Sequence, residues 1–371
     1  MKLGKLAVLF ARAESRTDME AFPSGGCREG QIPRSLLRGI CLASAVLTAG
    51  MLAGCKTGAA PEKTKEEREA EEETDLEEMS TAAQTEADEE NYNTGDASLD
   101  DPRNGDGIGE NELLVVSFGT SYNDSRRLTI GAVEKAVEEA FPEYSVRRAF
   151  TSQIIIDHIK SRDGVAIDNV REALERAADN GVKKLVIQPT HLMNGLEYTD
   201  LVNEAAEYSD AFERVAVGEP LLTSDEDFQA VMEAVTDATA EYDDGETAIC
   251  LMGHGTEAES NQVYAKMQEV LSGAGYDNYF VGTVEAEPDL EDVLAAVQAG
   301  DYKKVVLMPL MVVAGDHANN DMAGDEEDSW KTVFENAGYD VTCLVKGLGE
   351  LTAIQQLFAE HARAAAESLE R

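Results

Sequence analysis

Two stretches of this chain read almost as copies of one another. KKLVIQPTHLMNG at residues 183–195 and KKVVLMPLMVVAG at residues 303–315 share a Lys-Lys pair, an apolar β run, a proline and a closing glycine. VVSFGTS at 115–121 and CLMGHGTE at 250–257 match through Gly-Thr. Self-similarity at long spacing marks a duplicated supersecondary unit, so it constrains the fold before any single residue is weighed. Around these stretches, short β-rich runs (ELLVVSFG, YSVRRAF, ERVAVGEPL, NYFVGTVE) alternate with amphipathic helical patterns such as NVREALERAADNG and DEDFQAVMEAVTDATAEY. That alternation predicts parallel sheets flanked by helices. The expected fold class is α/β: two duplicated Rossmann-like lobes, residues 111–245 and 246–371, preceded by a disordered acidic linker. The facing C-terminal strand ends of the two lobes would form a cleft, the usual ligand site of open α/β sheets.

Upstream of residue 111 the composition changes. Residues 56–110 are dominated by Glu, Asp, Thr and Ala and hold almost no large apolar side chains. Such a segment cannot offset its chain entropy by burial, so it reads as a disordered tether. Residues 1–55 read as a targeting segment: Arg34 and Arg38 lead into the apolar stretch that closes LAGC at Cys55. This is the pattern of a bacterial lipoprotein signal, in which Cys55 becomes the lipidated N-terminus, and the span is too short and too rich in small residues for a membrane helix. The expected location is therefore extracytoplasmic, anchored to the membrane by lipid. The long stretch before Arg34 suggests a translation start nearer that residue.

The chain carries 31 basic and 73 acidic side chains, a net charge of −42. That excess argues against a nucleic-acid surface, which needs clustered Lys and Arg, and suits a highly soluble protein or one that handles cations. With Cys27 and Cys41 lost in the signal and Cys55 lipidated, Cys250 and Cys343 remain, each inside an apolar run. They read as small buried hydrophobes, and no disulfide framework or cysteine metal site is expected.

The histidines divide into two groups. His158 and His361 lie in helical stretches and read as surface or packing residues. His191, His254 and His317 each follow an apolar strand run, where α/β folds build sites, and Glu285 likewise caps FVGTVE. Two imidazoles and a carboxylate suit a borderline divalent ion such as Co²⁺, Fe²⁺, Ni²⁺ or Zn²⁺, so His254, Glu285 and His317 form a candidate metal site. Nucleotide chemistry is poorly supported, since MGHGT comes without a phosphate-binding glycine motif. Hydrolase chemistry is no better, since SFGTS lacks the nucleophile elbow and Ser117 has no evident triad partners.

Taken together, LLVVSFGTSY, RAFTS, HLMNGLEY, MGHGT, VGTVE and LMPLMVVAGDHANNDMAGDEEDSWK resemble the anaerobic sirohydrochlorin cobaltochelatase family, class II chelatases with a ferrochelatase-like fold. The resemblance runs over residues 112–360 in order; the signal and tether fall outside it. It implies insertion of Co²⁺ into the tetrapyrrole sirohydrochlorin during cobalamin biosynthesis, with Fe²⁺ or Ni²⁺ as other candidate ions. It also implies that His254, Glu285 and His317 hold the metal, with His254 and Glu285 as the catalytic pair, ligands that also accept or relay protons. Asp316, Asn319 and Asn320 would fix the ring of His317 or its loop. His191 would face the cleft. Phe118, Tyr122, Met193 and the run LMPLMVV would line the macrocycle face. Arg126, Arg127, Arg147 and Arg148 are candidates for gripping its carboxylates, with solvated helix charges as the alternative. A second reading starts from the anchor: an extracytoplasmic carrier of haem or metal ions on the same fold. Association into a homo-oligomer is left open.

Overall fold

The computed structural model describes residues 6–8 and 94–370. The expected lipidation site Cys55, nearly all of the signal and most of the tether lie outside the described residues. Aliphatic runs with no polar alternation require strands buried on both faces, and residues 113–116 of the run NELLVVS are fully buried. Among the described residues nine strands form, all parallel: β1 (Leu6–Val8), β2 (Asn111–Ser117), β3 (Ser145–Phe150), β4 (Lys184–Pro189), β5 (Arg214–Val217), β6 (Thr247–Gly253), β7 (Tyr279–Thr283), β8 (Lys304–Pro309) and β9 (Asp340–Cys343).

They make two sheets, ordered β1-β5-β4-β2-β3 and β7-β6-β8-β9. Setting β1 aside, each sheet has its first strand between the second and the third, with the fourth beyond. The duplication seen in the sequence is therefore a duplication of topology. Register confirms it: Pro189 stands opposite Val116 in one sheet as Pro309 stands opposite Met252 in the other. In each sheet the chain turns in opposite directions from its first strand, which opens a crevice at the C-terminal strand ends.

Period-two alternation sorts each strand's side chains between two cores. Leu113 and Val115 join Ile249 and Leu251 in one core shared by both sheets. Leu114 and Val116 turn to a core private to the first sheet, and Ala248, Cys250 and Met252 to one private to the second. Cys250 is buried and Cys343 half-buried, and both are free thiols.

Three features differ from the sequence reading. The last helix, Thr352–Ser368, crosses back to pack on β4 and on the helix Ile130–Ala140 of the first half, so the expected boundary at 246 does not separate two independent lobes. Residues 94–110, assigned to the tether, are an ordered strap on the first sheet. Asp100 of the strap, almost fully buried, bonds Arg126 Nε at 2.7 Å and Arg148 Nη1 at 2.6 Å, while Glu134 takes Arg148 Nε at 2.7 Å. Finally, residues 6–8, which the sequence reading placed within the targeting segment, form an edge strand on β5, pairing Leu6 with Val215.

Candidate metal centre

β6 lies between β7 and β8, so three adjacent strands end side by side, and each delivers one candidate ligand. His254 follows Gly253, the last residue of β6. Glu285 follows β7 and is tied to His254 through the backbone, its N–H donating to the His254 carbonyl at 2.8 Å. Gly255 between them sits at φ +90°, and a Cβ there would stand 2.8 Å from Ala286 N, so glycine is required for the close approach. His317 stands at the head of a five-residue π-helical turn, Ala318–Met322, beyond β8. Single π turns recur at functional sites because they redirect side chains within a helix-like backbone.

The three side chains converge. One ligand atom from each of His254, Glu285 and His317 lies within 4.8 Å of the other two. The imidazoles meet edge to face at 4.6 Å between ring centres and 89° between planes. Glu285 Oε2 is 3.6 Å from His254 Nδ1. His254 and Glu285 are about half exposed, and His317 is less so, at 29%. A site of three partly exposed protein ligands at the strand ends leaves coordination positions open to water or to a second ligand. Such a site suits an ion in transit better than a closed structural one.

The ring of His317 is held by Asp321, whose Oδ2 lies 2.8 Å from Nδ1. The sequence reading had Asp316, Asn319 and Asn320 fix either this ring or its loop. Asn319 Nδ2 instead donates to the carbonyl of Gly315 at 2.7 Å, and Asn320 Nδ2 to Asp316 Oδ1 at 2.9 Å. These residues fix the loop and not the ring. Asp321 was legible only as the fourth residue on from His317, a spacing that matters once the segment is known to turn as a helix.

Several other expected residues lie elsewhere. Arg126 is fully buried, with Nε on Asp100 and Nη1 donating to the Thr120 carbonyl at 3.1 Å, so it cannot reach a substrate carboxylate. Arg147 and Arg148 are buried in the same way, the former on Asp168 at 3.1 Å. Arg127 alone of the four keeps an exposed side chain, at 36%. Leu307, Met308 and Leu310 of the run LMPLMVV are core residues and do not line a cleft. His191 follows β4, but both ring nitrogens are buried without a protein partner, and burial holds its pKa down at about 4. It does not join the triad. Phe118 is exposed at 48% where β2 ends, Met193 packs half-buried against the shared core, and Tyr122 heads the helix Asn123–Leu128. His158 and His361 lie outside the triad, as expected.

Two duplicated parallel α/β halves with a His-Glu-His cluster at the strand ends define a metal-handling protein of the chelatase type. The family model described as cobalt chelatase (CbiK) matches residues 111–367, and this chain belongs to that family. It is 38% identical over 249 residues to the sirohydrochlorin cobaltochelatase of Salmonella typhimurium, covering 67% of this chain and 94% of the relative. It is 30% identical over 260 residues to the sirohydrochlorin cobaltochelatase CbiKC of Nitratidesulfovibrio vulgaris, covering 70% and 91%. Among solved structures, SirB from Bacillus subtilis with Fe³⁺ shares the fold, with a TM-score of 0.51, 13% identity, and coverage of 71% of this chain and 98% of that one.

Proposed function

We propose that this chain is a sirohydrochlorin cobaltochelatase, which inserts Co²⁺ into sirohydrochlorin with loss of two pyrrole protons. The observation that carries the reading is the convergence of His254, Glu285 and His317 within 4.8 Å, in a chain of the cobalt chelatase family. Two neutral imidazoles and a carboxylate match the borderline character of Co²⁺. Their exposure lets the ion exchange its waters for protein ligands and then for ring nitrogens. As the ion passes to the macrocycle, a released imidazole or Glu285 stands where the pyrrole protons leave, so His254 and Glu285 act as ligands first and proton acceptors second. Phe118, Met193 and Tyr122 would support the macrocycle face. With Arg126, Arg147 and Arg148 buried, Arg127 is the one of the four arginines left to meet its carboxylates. The relatives are named as enzymes, which favours turnover over the carrier reading.

We further propose that Cys55 is lipidated and that the folded part works outside the cytoplasm on a membrane tether. The LAGC pattern supports this. No helix among the described residues is long and apolar enough to cross a membrane. Processing at Cys55 would remove β1 and leave β5 as the sheet edge. Incubating the protein with sirohydrochlorin and Co²⁺ tests the main reading. Conversion of the ring's absorption spectrum to that of the metallated product supports it. Tight Co²⁺ or haem binding without conversion would favour the carrier and overturn it.

A further inference from the structure

The two imidazoles of the triad are oriented by different devices. His254 Nδ1 lies 2.9 Å from the carbonyl oxygen of Gly255, an acceptor that no side-chain substitution can remove. His317 Nδ1 lies 2.8 Å from Asp321 Oδ2. An ionised carboxylate only accepts hydrogen bonds, as does a carbonyl, so in both rings Nδ1 carries the proton and Nε2 keeps the lone pair that a metal needs. Glu285 Oε2, at 3.6 Å from His254 Nδ1, is too far to replace the Gly255 carbonyl in this role. One ligand of the set therefore depends on a replaceable group, and that group is Asp321.

The loop is built to present this pair. Ala318 and Met322 are fully buried and anchor the π turn from within. Asn319 closes the turn onto Gly315 with its backbone N–H at 3.1 Å and its side chain at 2.7 Å. Asp316 is engaged by Asn320 at 2.9 Å. His317 and Asp321 are left on the open side, at 29% and 43% side-chain exposure. The carboxylate of Asp321, partly exposed, is turned to the ring of His317.

We propose that Asp321 is a positioning residue for the metal ligand His317: it holds the Nδ1 proton, fixes the ring's tautomer and rotation, and so aims Nε2 at the incoming ion. The proposal rests on the chelatase reading above. Carboxylate partners of metal-bound imidazoles are typically worth about 10- to 100-fold in affinity or activity.

The test uses the full chain and Co²⁺ itself as the probe, with Asp321→Ala, Asp321→Asn, Asp321→Glu and, as a control, Asp325→Asn, at an exposed carboxylate paired with Lys331. Asp321→Ala should raise the KM for Co²⁺ about 10- to 100-fold with a smaller change in kcat. It should also alter the visible d–d bands of protein-bound Co²⁺ and leave the metal-free melting curve unchanged. Asp321→Asn should fall between Ala and the wild type, Asp321→Glu should restore most of the loss, and Asp325→Asn should behave as wild type. Wild-type KM and Co²⁺ spectrum in both Asp321→Ala and Asp321→Asn would overturn the proposal. So would a loss that tracks a lowered melting temperature. If the wild type binds Co²⁺ but metallates no sirohydrochlorin, the chelatase reading fails. The Co²⁺ spectra of the variants would still decide the role of Asp321.

Discussion

His361 lies on the last helix, its Nε2 2.9 Å from Asp227 Oδ1 and its Nδ1 3.2 Å from the Glu219 carbonyl. It ties the returning helix to the loop after β5 and to the first turn of the helix Asp225–Thr239. His361→Ala should therefore cost about 1–3 kcal/mol, the usual effect of stranding half-buried hydrogen-bonding groups. Urea denaturation would measure the loss, and metal insertion should be little changed. Nothing in FAEHARAAAE announces this, because both partners lie far back in the chain. Glu112 is a second residue whose behaviour depends on remote neighbours. It is fully buried, 3.9 Å from Arg147 Nη1, and neither of its oxygens has a hydrogen-bond partner. Burial pushes its pKa up to about 7, from 4.5. The folded chain thus keeps a proton that the unfolded chain releases, and its contribution to stability falls as pH rises from about 4.5 to about 7. Glu112→Gln removes that titration. Its melting temperature should exceed the wild type's at pH 8 and equal it near pH 5. The triad residues, by contrast, were legible, because strand-end position and ligand chemistry are local properties. The carboxylate that orients His317 was not, because its spacing has meaning only within a π turn.

At the scale of elements, the strap of residues 94–110 is where composition misled. TGDASLDDPRNGDGIGE has few large apolar side chains, and averaged with the acidic run before it the segment reads as tether. What holds it is charge in a dry place. Asp100 stands between Arg126 and Arg148, two arginines that the sequence offered to substrate carboxylates. Pairings that reach this far along the chain escape any window of sequence. Removing residues 1–93 takes away, of the described residues, only the three-residue edge strand β1 and should cost little stability, whereas removing residues 1–110 also takes Asp100 away from both guanidinium groups. Breaking buried ion pairs from one side costs about 3–5 kcal/mol. Comparing the melting curves of the two truncated chains checks this: equal curves would show that the strap adds nothing. The strands were easier to read, since uninterrupted aliphatic runs bounded by Gly and Pro specify buried parallel strands with little help from context. That the two sheets share one strand order is what the repeat implied, though the order itself was not legible. The crossing of the last helix did not, because an amphipathic face does not reveal which sheet it will cover.

For the whole molecule, the account joins a chelatase fold to an N-terminal region that the family match at residues 111–367 does not include. If Cys55 carries a lipid, Cys55→Ala should move the protein from the washed membrane fraction to the soluble one with turnover unchanged. Persistence in the membrane fraction would refute the anchor. The central claim is that the three strand ends hold one ion between them. The most direct measurement is the rate of cobalt insertion by the full chain and by its His317→Ala variant, followed by absorption spectroscopy of sirohydrochlorin with Co²⁺ and paired with titration of Co²⁺ binding. The account predicts that the wild type converts the spectrum. It predicts that His317→Ala loses about a hundredfold or more in metal affinity, and with it insertion, while melting as the wild type does. Wild-type affinity and turnover in His317→Ala would contradict the account, leaving the histidine an ordinary loop residue.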